Sequence, residues 1–297
     1  MAVLQTYQVT TNAQDLSEFI TNITPDDTPL LSSLQNTKAY QTLHEVQQDS
    51  LNVPTANDNA WIEGADFQTE DQNVPGKIPT YPQIFRKHPH VSETQLAVRT
   101  EGIKDLYSYQ VTKKLKEIAL DIEYAAINGT GNSGASGTAR EMKGILAWIT
   151  TNHLSGTGTG GQALTEGMFN DLLEDLWQNG GKRKRDCYCT GSLKRQISGF
   201  TASNTKNVAA GDKKVIAAVD VYEADFGMIK LFPHMYLPSN TLMVLNPDNW
   251  AFAWLRKTMH KPLAQTGDAV RGKITAEVAL ESRQEADSGK YTNVIKG

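Results

Sequence analysis

Cysteine is nearly absent: the 297 residues hold two, Cys187 and Cys189, one residue apart. They cannot staple distant segments, and two cysteines make no disulfide framework. A surplus of positive charge is absent as well. The 29 Lys and Arg stand against 33 Asp and Glu, a formal charge of −4. That balance argues against a protein whose main work is coating nucleic acid, while leaving room for one local basic patch. No apolar run approaches the ~18 residues that span a bilayer, and residues 1–15 show neither the basic nor the apolar region of a secretory signal. No internal repeat is visible. The expectation is a soluble protein of a reducing compartment. Its 39% hydrophobic residues suffice for a core, in one large domain or two.

Motifs of chemistry are also scarce. Gly129, Gly131 and Gly134 match the GxGxxG pattern, but a dinucleotide site needs that turn after a strand and opening a helix. Here it follows a helical stretch and runs into more loop, and Ala135 stands where a P-loop needs lysine. Of the six histidines only His88 and His90 are close. His44-Glu45 begins an HExxH and does not complete it, so three or four convergent zinc ligands are not in sight. Cys187 and Cys189 share one face of a short apolar strand and are expected to pack as small apolar groups. No nucleophile elbow is present, and the acid pairs Asp26-Asp27, Glu70-Asp71 and Glu174-Asp175 are ordinary surface. Hence no enzyme, no cofactor and no metal are expected. The basic run Lys182, Arg183, Lys184, Arg185 admits three readings: a solvated loop between helix and strand, a contact for nucleic acid or another polyanion, or a loop at a pore or symmetry axis.

What is present has an unusual order. Residues 1–24 are polar with scattered apolar side chains (Leu4, Val9, Leu16, Phe19, Ile20, Ile23) and suggest an arm with one short helix near Ala13–Ile20. Thr28-Pro29 reads as an N-cap and first helical position, with Leu30, Leu31 and Leu34 following. Residues 40–85 are rich in Asn, Gln and Pro and lack apolar periodicity, and a connection that long is rare inside a compact domain. Residues 43–46 and 84–88 look able to pair, which makes the stretch a long hairpin arm carrying Trp61 and Phe67. The strongest local signal runs from 102 to 127, where Ile103, Tyr107, Val111, Leu115, Ile118, Ile122 and Ala126 make one helical stripe. About 25 residues at 1.5 Å each give a helix roughly 37 Å long. A glycine-rich loop (129–139) and a compact segment (142–149) follow. Thr165 caps a helix that buries Met168, Leu172, Leu173, Leu176 and Trp177, ending at Asn179-Gly180-Gly181. Residues 187–190 read as a buried strand, 192–200 as a helix, and 214–222, 228–232 and 241–245 as strands. Residues 273–281 alternate strictly, as a half-buried strand does, and 291–295 return after a turn at Asp287-Ser288-Gly289.

This succession resembles the major capsid proteins of tailed bacteriophages with the Hong Kong 97-type fold, and within them the SU-ten-like group. The resemblance is carried by residues 23–34, 99–129, 142–149 and 164–177 and by the C-terminal hairpin that opens at Val278-Ala279-Leu280-Glu281. It implies an α+β fold in which residues 1–39 are an N-terminal arm and 40–87 an extended loop reaching over a neighbouring subunit. Residues 88–144 would form a peripheral domain with a spine helix at 102–127, 145–265 an axial domain, and 266–297 return strands of the peripheral domain.

The resemblance further implies a structural function: pentamers and hexamers of this chain closing an icosahedral head around double-stranded DNA. It implies a portal protein at one vertex, a decoration protein as a further partner, only weak contact with the packaged DNA, and no membrane. The chain would be assembled in the bacterial host cytoplasm and reside in the virion. The roughly 100 residues before the spine helix are all assigned, so a fused scaffolding domain is not expected; a separate scaffolding protein, or none, is. For subunit contacts, the loop offers Trp61, Phe67 and the acids Glu63, Asp66, Glu70 and Asp71, and the spine helix offers Lys113, Lys114 and Lys116. Such rim ion pairs are each worth only about 0–1 kcal/mol. Two alternatives stand beside this reading: the shell protein of an encapsulin-like bacterial nanocompartment, and a nucleic-acid-binding protein using residues 182–185.

Overall fold

Asp105 starts the long helix by accepting a hydrogen bond from the Ser108 amide, as an N-cap does. The computed structural model describes residues 27–52, 54, 62–64, 66, 73–100, 102–181, 184–200, 220–265 and 267–297. The candidate helix near Ala13–Ile20 lies outside them. In chain order the first elements are α1 (Pro29–Ser33), β1 (Gln35–Lys38), β2 (His44–Gln48), β3 (Gly76–Thr80), β4 (Gln83–Lys87), β5 (His90–Ser92), α2 (Glu93–Ala97) and α3 (Leu106–Asn128). There follow β6 (Thr130–Asn132), β7 (Glu141–Lys143), α4 (Ile145–Trp148), β8 (Asn152–Ser155), β9 (Gln162–Ala163), α5 (Glu166–Gly180), β10 (Arg185–Cys189) and α6 (Gly191–Phe200). The chain closes with β11 (Val221–Ala224), β12 (Gly227–Pro233), β13 (Leu242–Leu245), β14 (Trp250–Pro262), β15 (Ala269–Ser282), β16 (Gly289–Thr292) and β17 (Val294–Ile295).

Two larger sheets organise these strands. One runs β1-β14-β15-β4, with β5 paired to β15 as its fifth strand. Its spine is the long antiparallel pair of β14 and β15, whose register slips on either side of Arg256. The other sheet runs β11-β12-β10-β13-β16-β8. Strand β10 shows why the sheet has a core on each side. Successive side chains of a strand point to opposite faces. Cys187 and Cys189 enter the apolar cluster under α5 and α6, with Leu242 and Val244 of β13. Tyr188, with Met243 and Leu245, enters the cluster under α3, α1 and α4.

The helix α3 carries its predicted stripe unevenly. Ile118, Ile122 and Ala126 are buried, whereas Leu115 is 37% exposed and Tyr107 and Val111 are half-buried. The helix packs its C-terminal half on the body, and its 23 residues reach about 35 Å at 1.5 Å per residue. Its exit is tight. The Gly144 amide bonds to the Gly129 carbonyl at 2.8 Å, and a Cβ on Gly144 would lie 2.6 Å from the Gly129 nitrogen. Only glycine permits that approach. The glycine-rich stretch after α3 thus folds as the hairpin β6–β7, paired at Thr130–Lys143 and Asn132–Glu141.

Several expectations are corrected. The base of the arm is β2 against β3, paired His44 to Thr80 through Gln48 to Gly76. The residues expected to pair with 43–46 instead form β4 and bind β15. Proline at 79 is tolerated because this hairpin is an isolated two-stranded ladder with free edges. Strand β14 is absent from the sequence reading. It begins with four fully buried residues, Trp250–Ala253, and then turns exposed, so no period-2 alternation marks it. Strand β15 alternates as expected from Lys273 to Ala276 and is buried on both faces from Glu277 on, where ion-pair partners cover Glu277 and Glu281. Trp177 is 47% exposed and stacks at a tilt on Phe226 rather than entering the α5 core. Sheet membership also cuts across the segment boundaries 145–265 and 266–297. Strand β14 sits with β15 in the five-stranded sheet, and β16 sits in the six-stranded one.

Candidate functional site: anchors and assembly surfaces

Among the described residues no group of three or more His, Cys, Asp or Glu could hold a metal ion, and no helix is long and apolar enough to cross a membrane. The polar machinery of the chain is instead a set of buried anchors, each tying segments far apart in sequence.

The first centres on Glu123 of α3, which is fully buried. Its carboxylate accepts the amides of Leu30 and Leu31, both at 2.8 Å, and so caps the first turn of α1. His234 Nε2 lies 2.8 Å from the same carboxylate. His234 Nδ1 accepts the Tyr236 amide at 3.2 Å, so Nε2 carries the proton and donates. One acid joins α1, the long helix and the loop after β12. Ser33 and Tyr188 share a hydroxyl hydrogen bond of 3.1 Å beside it.

The second anchor corrects the reading of the basic run. Arg185 is 2% exposed. Its guanidinium meets Asp287 Oδ1 at 2.6 Å and donates to the carbonyls of Leu176 and Gly181 at 2.8 and 2.9 Å, closing the end of α5. Asp287 Oδ2 accepts Asn246 and Asn249 at 2.6 and 2.8 Å. Arg185 is therefore structural and unavailable to a polyanion. Lys184 is exposed, and Lys182 and Arg183 lie outside the described residues.

The third anchor fixes β1 and the β2–β3 hairpin to the end of β15. Glu281 of β15 accepts Thr37 Oγ1 at 2.9 Å and Arg283 Nε at 3.0 Å and meets His44 Nε2 at 3.1 Å. Gln48 donates to the Arg283 carbonyl at 2.7 Å. Burial alone would raise the Glu281 pKa, but the hydrogen bonds from Arg283, His44 and Thr37 outweigh it and hold the carboxyl below its ordinary value. Folding therefore favours the ionised form. Its stabilisation is fully present above the ordinary carboxylate range and is lost as pH falls through the depressed folded value. The wild-type chain should lose stability on acidification more steeply than Glu281→Gln, measured as the melting midpoint from pH 6 to about 3. Parallel curves would remove Glu281 from this role. Glu277 makes a similar crossing point, with Arg140 at 2.6 Å and Arg256 at 2.7 Å.

Leu51, Ile62 and Val74 are 94%, 84% and 87% exposed, far from the usual burial of such residues. Glu63 and Asp66 are exposed, whereas Trp61, Phe67, Glu70 and Asp71 lie outside the described residues. On α3, Lys113 is exposed. Lys114 bonds both oxygens of Glu117 at 2.8 Å on its own helix, and Lys116 is likewise engaged. Among the described residues, no ion pair joins Glu63 or Asp66 to Lys113 or Lys114. Glu123 itself escaped sequence reasoning, although a signal exists: it stands between Ile122 and the small pair Ala125-Ala126 at the buried end of the stripe.

Comparison with known proteins agrees with this architecture. A 120-residue segment is 31% identical to the major capsid protein of Escherichia phage Phieco32, covering 40% of this chain and 34% of that protein's length. The fold matches the capsid asymmetric unit of cyanophage A-1(L) with a TM-score of 0.74, at 13% identity and over 98% and 99% of the two chains. An encapsulin from Synechococcus elongatus matches with a TM-score of 0.65 at 11% identity, over 99% and 97%. Both likenesses are of fold, the Hong Kong 97-type α+β fold. The SU10 major capsid protein family model matches residues 3–294. With that match spanning nearly the whole chain, the chain belongs to the SU10 major capsid protein family.

Proposed function

We propose that this chain is the structural unit of an icosahedral phage head, assembling as pentamers and hexamers around double-stranded DNA. One observation supports the reading: Leu51, Ile62 and Val74, which lie in sequence between the two strands of the hairpin clamped by the Glu281 network, stand in solvent. Apolar side chains so placed are worth burying, at about 25 cal/mol per Å², and the described residues leave them uncovered. A second copy covers them. Residues 1–39 as arm, 40–87 as extended loop, 88–144 and β15 as peripheral domain, and the six-stranded sheet with α5 and α6 as axial domain complete the assignment. The partners that follow are a portal protein, a separate scaffolding protein and a decoration protein, with the virion as residence after assembly in the host cytoplasm. The balance of −4 suits a wall that contacts packaged DNA weakly. The encapsulin likeness supports the shared shell fold and no separate function.

The triple substitution Leu51→Ser, Ile62→Ser, Val74→Ser tests the arm. Assembly should be lost or strongly weakened while the thermal unfolding of the chain is unchanged, since these side chains touch little of their own chain. Normal shells from the triple variant, seen by light scattering and electron imaging, would refute the arm's role.

A further inference from the structure

The two faces of the six-stranded sheet are covered unequally. On one, Tyr222 of β11 and Ile229 and Leu231 of β12 are buried with Cys187 and Cys189 under α5 and α6. On the other, Tyr188 of β10 and Phe232 of β12 pack into the cluster under α3. That cover stops short of the sheet edge. Successive strand residues point to opposite faces, so Val221, Glu223, Met228 and Lys230 point away from α5. Val221 is 44% and Met228 60% exposed, and Glu223 and Lys230 are exposed as well. With the exposed Lys184 these four line one groove of about 550 Å³. Its floor is apolar and two of its three charged groups are lysines.

The complement lies on the opposite face of the same edge. Trp177 of α5 is 47% exposed and stacks at a tilt on Phe226, in the turn between β11 and β12, with ring centroids 5.8 Å apart. Asp171 and Glu174 precede it at steps of three, so the three lie along one side of the helix. Both acids are exposed. Helix α5 holds four acidic residues and no Lys or Arg.

One sheet edge thus carries an acidic, aromatic patch on one face and a basic, apolar groove on the other. Facing opposite ways, the two cannot meet within one chain, but they can between copies. A contact between two different patches is heterologous, and repetition closes it into a ring where the rotation allows. Tryptophan is enriched among the side chains that anchor interfaces, and a thioether packs well on an aromatic ring. The surrounding charges set register and encounter more than affinity.

We infer that Trp177, Asp171 and Glu174 of one copy dock on the groove of Lys184, Val221, Met228 and Lys230 of the next, a head-to-tail contact running round each pentamer and hexamer. The inference rests on the assembly reading and names a contact within it.

Sedimentation of the purified full chain across a concentration and salt series tests it. Lys184→Glu with Lys230→Glu should need a several-fold higher concentration to associate than the wild type, and so should Asp171→Lys with Glu174→Lys. A chain with all four reversals should recover most of the loss, because its complementary charges have changed places. Wild-type association in either double variant, or no recovery in the fourfold one, overturns the inference and leaves the assembly reading standing. A wild type that stays monomeric overturns both.

Burial raises the Asp186 carboxyl above its ordinary value and Lys230 and Lys184 oppose that, so reversing them also presses on the sheet. Where a variant melts below the wild type, the deciding measurement is the Trp177→Cys, Met228→Cys chain under air oxidation. A ladder of disulfide-linked chains, absent from either single-cysteine variant, supports the contact. Single chains only, or dimers that a single-cysteine variant also gives, overturn it.

Discussion

Asp287→Ala should lower the stability of the chain by about 3–5 kcal/mol, the cost of leaving a buried charge without its partner. Asp287 and Arg185 are both almost wholly enclosed. Removing the carboxylate strands the guanidinium, which holds the end of α5 through Leu176 and Gly181. It also leaves the amides of Asn246 and Asn249 without their acceptor. The anchor joins four distant pieces: α5, β10, the turn after β13 and the turn before β16. The whole six-stranded sheet should therefore feel the loss. A double change to Arg185→Met with Asp287→Leu should recover part of the stability, because apolar replacements leave no buried charge. Denaturant unfolding measures both. A single variant within about 0.5 kcal/mol of wild type, the range of ordinary surface changes, would show that the pair is not the anchor.

The second large effect is at Glu123. Glu123→Ala removes the acceptor of Leu30 N, Leu31 N and His234 Nε2 together. Buried donors left unsatisfied cost about 1–3 kcal/mol each, so a loss of roughly 3 kcal/mol or more is expected. The distinguishing readout is local. Amide hydrogen exchange at Leu30 and Leu31 should lose its protection, while exchange in β14 and β15 changes far less, since α1 can leave the body without opening the sheet. Glu123→Gln, which keeps one acceptor oxygen, should fall between. Unchanged exchange at Leu30 and Leu31 would sink the assignment.

Local patterns were legible in the sequence, and partners far along the chain were not. Helix α3, the Thr165 cap and the buried strand at Cys187–Cys189 rest on spacing and capping within a few residues, and the structure has them. The arm's pairing was misread because 84–88 looks like a strand on its own, and nothing local says that it prefers β15 to β2. Glu277 and Glu281 alternate like solvent-facing residues, and only the approach of Arg140, Arg256 and His44 encloses them. Arg185 reads as the last member of a basic run. Its role appears only once Asp287, 102 positions on, folds against it. The anchors are contacts of high sequence separation, which periodicity does not encode.

The central claim is that this chain builds a shell. Light scattering of the purified chain, with electron images of the same fractions, tests it most directly. Rings of five or six, or closed shells of uniform diameter, are the expected result. A stable monomer or dimer at every concentration, with scaffold supplied, would contradict it.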